Sequence, residues 1–151
     1  MLPFLACCVH CRLRVSECVC DHAPFLTIAT RLVVVMHSKE WRRSTNTGHF
    51  ARLAVRGAEV HLHGALNPKP TANANSAAST LVLYPGRGAR LLCADAIAAM
   101  PRPLTLLVPD GNWNQAKHMM RRHPALLSGQ PFRLESTQLK NNWLRRNRQS
   151  S

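Results

Sequence analysis

The sequence has few acidic residues, few aromatic residues and no long apolar run. Its 151 residues contain 7 Asp and Glu against 20 Lys and Arg, so the formal net charge is 20 − 7 = +13. The aliphatic run Leu32-Val-Val-Val-Met36 is far shorter than the roughly 20 apolar residues of a membrane-spanning helix. The sequence therefore predicts neither a membrane span nor a membrane partner. Hydrophobic residues still form 46% of the chain, which is enough for the core of one folded domain of this length.

The N-terminal residues lack the marks of a secretory signal. The apolar stretch Met1-Leu-Pro-Phe-Leu-Ala6 lacks the basic n-region of a signal peptide and is shorter than its apolar region. We therefore expect a cytoplasmic protein.

The excess of arginine indicates an acidic partner. Sixteen of the 20 basic residues are Arg, whose planar guanidinium matches phosphate oxygens and stacks on bases. From Lys117 onward there are eight basic residues and a single acid, Glu135, so the charge is concentrated. This distribution favours nucleic acid as the partner, and a solvated arginine-rich face is the alternative. The residues predicted to contact phosphate are Arg121, Arg122, Arg145, Arg146 and Arg148.

Four cysteines near the N-terminus have the spacing of a metal site. Cys8, Cys11, Cys18 and Cys20 form a C-x2-C-x6-C-x-C pattern, and four thiolates can close a tetrahedral shell around Zn²⁺. Such a site is structural, because four protein ligands leave no open position. Cys7 or His10 could replace one ligand, and a disulfide pair or unliganded thiols are the alternatives.

Strand and helix patterns alternate after the cysteine-rich segment. This alternation predicts an α/β domain with a parallel sheet, whose ligands bind at the carboxyl ends of the strands. Two polar segments, Tyr84-Pro85-Gly86 and Asp110-Gly111, come at such ends. The predicted strands are 31–36, 58–63, 80–84 and 104–108, and the predicted helices are 45–55, 89–100 and 113–123.

Two short segments are candidates for a binding or catalytic site. Thr45-Asn46-Thr47-Gly48 precedes a predicted helix, where its side chains either cap the helix or help to hold an anionic group. Asp110 ends an apolar strand and is followed by Gly111, a position where a carboxylate can act as a base. Alternatively, Asp110 is a helix N-cap and Trp113 only packs.

The ordered set of these motifs resembles the DTW-domain family over roughly residues 7–146. The family members are tRNA-uridine aminocarboxypropyltransferases similar to the knotted α/β methyltransferases. They transfer the 3-amino-3-carboxypropyl group of S-adenosylmethionine to N3 of a tRNA uridine and release methylthioadenosine, an EC 2.5.1 reaction. The matching segments are the cysteine cluster continuing into Asp21, His37 with Glu40, Thr45–Gly48, Tyr84–Gly86, Asp110–Trp113, Gln115–Lys117 and Pro124.

The resemblance implies roles for individual residues. It implies a zinc-binding segment over 1–24 and a DTW-like domain over 25–151. Asp110 would be the catalytic base. The residues implied to hold S-adenosylmethionine are Thr45, Asn46, Thr47, Gly48, Tyr84, Pro85, Gly86 and Trp113, with Trp113 packing beneath the site.

Two departures from the family pattern bear on activity. Asn112 stands where the family has Thr. The family also continues into a Leu-Ser-Thr-x-Glu-Ala helix beyond a segment that Asn142–Arg146 echoes, and this chain ends at Ser151 without it. The domain is therefore expected to be incomplete at its C-terminus. The alternative function is a non-catalytic, zinc-stapled RNA-binding module, and a third is an exported, disulfide-linked basic protein.

Overall fold

Six parallel strands form one sheet in the part of the chain that the computed structural model describes, residues 7–43, 46–64 and 79–135. The strands are β1 (Arg31–His37), β2 (Glu59–His63), β3 (Ser79–Leu83), β4 (Arg90–Leu91), β5 (Leu104–Asp110) and β6 (Gln130–Arg133). They lie in the order β2-β1-β5-β3-β6-β4, and every neighbouring pair is parallel. The predicted α/β class with a parallel sheet is confirmed.

Short helices connect these strands. Two 3-10 helices, Val15–Glu17 and Cys20–His22, lie in the cysteine-rich segment. The α-helices are α1 (Ser38–Trp41), α2 (Phe50–Ala54), α3 (Ala94–Ala98), α4 (Trp113–Arg122) and α5 (Pro124–Ser128). None of these described helices has the length and apolar character needed to cross a membrane.

The core lies on both faces of the sheet. On β3, Val82 belongs to one buried cluster and its neighbour Leu81 to another, and successive strand residues point to opposite faces. The first cluster packs α4 and α5 against the sheet through Met119 and Leu126. The second contains the buried Phe132. Because both faces are covered, β1 is apolar and buried along four consecutive residues, as strands of parallel sheets are.

Several element predictions need correction. The predicted helix over 89–100 is interrupted, because Arg90 and Leu91 pair with β6 and the helix begins only at Ala94, after the N-cap Cys93. The predicted helix over 45–55 is limited to α2, and residues 46–49 precede it as a loop and turns. Strand β6 was not predicted. The knotted topology and the division at residue 24 stay predictions, and residues 136–151 lie outside the described part.

Four histidines lie close together where β1, β2 and α4 meet. The ring centroid of His63 is 6.3 Å from that of His37, 6.4 Å from that of His118 and 5.6 Å from that of His123. Burial lowers the pKa of His37, His63 and His123 below the usual 6.5, and repulsion from neighbouring histidines, when these are protonated, lowers all three further. These histidines therefore stay neutral in the folded protein at a pH where the unfolded chain begins to bind protons.

We expect the free energy of unfolding to fall as the pH is lowered from 7.5 to 5.5. The unfolded histidines take up protons near pH 6.5 and the folded ones only at lower pH, so acid favours the unfolded chain. Urea unfolding at a series of pH values measures this dependence. His63→Gln should flatten it, whereas the control His22→Gln, at an exposed position, should not. Equal slopes for the two variants would contradict the assignment.

Candidate functional site

The candidate site is formed at the carboxyl ends of β1 and β5. The register of this strand pair places Met36 opposite Asp110, the last residue of β5. The chain that leaves β1 passes through α1 and returns to the same edge at Asn46. There the Asn46 side-chain amide donates a hydrogen bond of 2.7 Å to Oδ2 of Asp110. Two residues that are 64 positions apart thus form one polar unit.

Gly48 holds this loop close to Asp110. Its backbone N–H donates to Oδ1 of Asn46 at 2.8 Å, so the same amide group binds both the loop and the carboxylate. A Cβ at position 48 would collide with Oδ2 of Asp110 and lie 2.9 Å from Cε of Met36. Only glycine allows the backbone to approach this closely. The Asn46–Gly48 loop is therefore held close against Asp110.

A cavity of about 130 Å³ opens beside this unit. It is lined by Glu40, Arg43, Asn46, Thr47, Asp110, Gly111 and Asn112. The buried Glu40 is ion-paired with the half-exposed Arg43, whose Nη1 lies 3.2 Å from Oε1 of Glu40 but outside hydrogen-bond geometry. The walls of the cavity thus carry carboxylates, a guanidinium and amides. Since ligand pockets usually have about 300–1,000 Å³, this cavity suits one polar end of a larger ligand.

Asn112 begins α4 with a capping box. Its Oδ1 accepts from the N–H of Gln115 at 2.9 Å, and its own N–H donates to Oε1 of Gln115 at 2.7 Å. Asn caps a helix at least as well as Thr. The departure from the family residue is therefore compatible with the start of α4, and Asp110 is not the cap.

Trp113 is not packed beneath the site. Its side chain is 70% exposed, and its ring lies 6.4 Å from that of Tyr84. Gly86 faces the Tyr84 ring, because a Cβ there would come within 2.7 Å of Cε1. The expected packing of Trp113 is thus wrong. Because the first residue of α4 points into solvent, the indole is displayed at the surface beside Tyr84.

Apart from the cysteines, the predicted site residues form three groups in the described part of the chain. Asn46, Thr47, Gly48 and Asp110 come together, whereas Tyr84, Gly86 and Trp113 form a neighbouring aromatic group with Pro85 between Tyr84 and Gly86. Arg121 and Arg122 are exposed in the last turn of α4. Thr45, Arg145, Arg146 and Arg148 lie outside the described residues. Roles in ligand binding stay predictions for all of them.

The four predicted cysteine ligands converge and could hold a metal ion. Their Sγ atoms all lie within 4.8 Å of one another, with Cys8 and Cys20 at 3.6 Å and Cys11 and Cys18 at 3.8 Å. A tetrahedron with metal–sulfur bonds of about 2.3 Å has sulfur–sulfur edges of about 3.8 Å, which matches these separations. No disulfide joins the four residues. The donor set and its geometry therefore fit a tetrahedral thiolate centre.

The environment of the thiols favours stepwise loss of protons. Backbone N–H groups of Cys11 and His10 lower the pKa of Cys8 to about 6, so this thiol ionises near neutral pH. Partial burial and the neighbouring thiols raise the pKa of Cys20 to about 12. A bound cation would offset this effect, because thiolates rather than thiols are the ligands.

His49 and Arg12 are site neighbours that sequence reasoning missed. The side chain of His49 is 2% exposed, its Nε2 has no hydrogen-bond partner, and its ring packs at 4.8 Å against Trp41. Burial lowers the pKa of His49, Arg12 lowers it further, and Asp110 acts in the opposite direction. Its position directly after the predicted segment 45–48 was the one sequence feature that could have indicated a role for His49 at the site. Arg12 gave none, because it lies between cysteine ligands.

Comparison with known proteins identifies the family of the chain. Residues 5–151 match the DTW domain, so the chain belongs to the DTW domain family. The tRNA-uridine aminocarboxypropyltransferase 2 of Drosophila melanogaster is 29% identical over 127 residues, which cover 79% of this chain and 50% of that protein. The chain thus spans about half the length of this curated relative. No solved structure matches the present chain.

Proposed function

We propose that this chain is a cytoplasmic tRNA-uridine aminocarboxypropyltransferase that uses S-adenosylmethionine. The observation that carries the proposal is the Asp110 carboxylate, which Asn46 orients at a polar cavity within a DTW domain. The similarity to a protein named tRNA-uridine aminocarboxypropyltransferase 2 supports the same reaction. The net charge of +13 supports a polyanionic substrate.

Asp110 is proposed to remove the proton from uridine N3. Asn46 engages Oδ2 of Asp110, so Oδ1 can accept the proton as the base approaches. The sulfonium compound supplies an electrophilic γ-carbon. The bond from N3 to this carbon forms while the carbon–sulfur bond breaks, and the electron pair leaves with the sulfur of methylthioadenosine. The charge balances, because N3 loses its proton to Asp110 and the sulfonium becomes a neutral thioether.

The cavity is proposed to bind the amino and carboxylate end of the co-substrate. Arg43 offers a guanidinium for the carboxylate, and the buried Glu40 offers an oxygen for the ammonium. Loop 46–48 would position this end of the molecule beside Asp110, which supports catalysis through alignment. The remaining adenosine part would extend towards Tyr84, Gly86 and Trp113.

The cysteine centre is proposed to bind Zn²⁺ for structure rather than catalysis. Four thiolates leave no open position for a substrate. Neither 3-10 helix of this segment contains a buried residue, so core packing contributes little to the order of these two helices. Metal binding would stabilise the folded cysteine segment.

The reduced chain is expected to bind one Zn²⁺. Elemental analysis of the purified protein measures the metal content, and thermal unfolding measures its effect. Cys18→Ser should lower both the zinc content and the melting temperature. Cys93→Ser provides the control, because Cys93 is exposed at the N-cap of α3. Equal zinc content in the two variants would exclude Cys18 as a ligand.

Asp110→Asn should reduce transfer at least 100-fold while leaving tRNA affinity within about twofold, because general bases contribute 10²–10⁴-fold. The new amide oxygen can still accept from Asn46, so the loop is retained. The assay is mass spectrometry of nucleosides from unmodified tRNA incubated with protein and S-adenosylmethionine. Asp95→Asn, on the exposed face of α3, is the matched control.

Two outcomes of this assay would count against the proposal. Retained turnover in Asp110→Asn would remove this residue from the role of base. If the wild-type chain binds zinc and tRNA but transfers nothing, it is the RNA-binding module.

The C-terminal half of α4 is proposed to contact the tRNA backbone. Lys117, Arg121 and Arg122 are exposed on this helix, which begins three residues after Asp110 at the same edge of the sheet. Their cations would bind phosphates next to the target uridine. Arg145, Arg146 and Arg148 are proposed to extend this contact.

Replacing Arg121 and Arg122 with Gln should reduce the salt dependence of tRNA binding. Each lost phosphate contact lowers the slope of log K against log salt by about 0.7–0.9, so the double variant should lose roughly 1.4–1.8. Fluorescence anisotropy with labelled tRNA at several salt concentrations measures the slope. The control pair is Arg56→Gln with Arg102→Gln, because both residues are exposed at the opposite, amino edge of the sheet. Equal slopes for both pairs would refute the contact.

A further inference from the structure

A continuous set of contacts runs from the cysteine centre to Asp110. It begins at Arg12, which follows the ligand Cys11 and has a left-handed backbone with φ of 66°. The turn around it is closed by hydrogen bonds from Arg12 N–H to the Cys8 carbonyl at 2.9 Å and from Cys8 N–H to the Leu13 carbonyl at 2.7 Å. A non-glycine residue adopts this conformation only when its surroundings impose it. The cysteine centre therefore dictates where the Arg12 side chain starts.

The Arg12 guanidinium binds Trp41 in two ways. Its central carbon lies 4.8 Å from the centroid of the Trp41 ring, and Nη2 donates to the Trp41 carbonyl at 3.4 Å. Trp41 is the last residue of α1. Arg12 thus fixes the C-terminal end of the helix that leads into the site loop.

Trp41 contacts His49, which adjoins the Asn46–Gly48 loop. The two rings meet edge to face at 4.8 Å, and the His49 side chain is almost completely buried. His49 follows Gly48, whose N–H binds Asn46, and Asn46 in turn binds Asp110. Each step of this path is a direct contact between neighbouring side chains or backbone groups.

We propose that Arg12 is a positioning residue through which the metal-loaded cysteine centre holds loop 46–49 against Asp110. Arg12 touches no reacting atom in this proposal and acts through Trp41 and His49. When the cysteine turn is ordered, the Arg12 guanidinium lies against Trp41. The packed Trp41–His49 pair then keeps Gly48 within hydrogen-bond distance of Asn46. A disordered turn would release Arg12 and let the loop open.

A path of contacts shows that two sites are coupled only when a change at one site is measured to alter the other. The test therefore uses the amide of Gly48, because its hydrogen bond to Asn46 reports directly on the loop. Hydrogen exchange of this amide is measured by NMR in the full, zinc-loaded chain. Arg12→Ala should accelerate the exchange at least tenfold, and Arg12→Lys, which keeps a cation near the ring, should recover part of the protection.

Arg14→Ala is the matched control. Arg14 is exposed in the same segment, so its removal changes the charge equally without touching Trp41. Zinc content is measured for every variant. Trp41→Leu removes the same contact from outside the cysteine turn, so it keeps the test valid even if Arg12→Ala loses its metal. The proposal requires Trp41→Leu to accelerate Gly48 exchange with zinc retained.

Two results would overturn the proposal. One is equal Gly48 exchange in the zinc-loaded Arg12→Ala and Arg14→Ala chains, and the other is unchanged exchange in Trp41→Leu. The second readout, which rests on the proposed function, is transfer: Arg12→Ala should lower kcat about tenfold and leave the KM for tRNA within twofold. If the wild-type chain transfers nothing, the proposed function fails, whereas the exchange measurement still decides the role of Arg12.

Discussion

The parallel pairing of β1 with β5 determines where the polar groups of the site can lie. The register sets Met36 beside Asp110, and a shift by one residue would turn Asp110 to the other face of the sheet. The pairing is stable because β1 is buried on both faces by apolar residues. The loop after β1 then needs only Asn46 and Gly48 to reach the carboxylate. An apolar interaction in the core thus positions a polar group at the edge.

Two of the few acidic residues of this basic chain lie at the candidate site. Of 7 Asp and Glu, Glu40 and Asp110 line the same cavity. Glu59 binds Arg31 on the neighbouring strand β1 and His61 on its own strand β2. A metal-loaded cysteine centre would add a further negative charge of about −2 from four thiolates and one dication. The net charge of the sequence therefore describes the outer surface better than it describes the site.

Sequence patterns predicted the elements that depend on local apolar runs. The strands around Val33 and Leu106 were identified because continuous burial needs continuous apolar residues. Strand β6 was missed because Gln130–Arg133 contains a proline and buries only Phe132. Strand β4 was missed because its two exposed residues carry no pattern.

The candidate site could be predicted only in part. The cysteine spacing was sufficient because all four ligands lie within thirteen positions of one another. The contact between Asn46 and Asp110 depends on strand register over 64 positions, and no local pattern encodes that distance. The exposure of Trp113 likewise follows from the direction in which α4 leaves the sheet.

The capping box at the start of α4 has a consequence for how relatives of this chain are recognised. Position 112 contributes an acceptor to the N–H of Gln115, and Ser, Thr, Asp and Asn can all do this. As far as helix capping is concerned, position 112 is therefore open to exchange among these residues. A search pattern that insists on Thr would overlook chains such as this one. A pattern that accepts any capping residue, followed three positions later by Gln, would retain them.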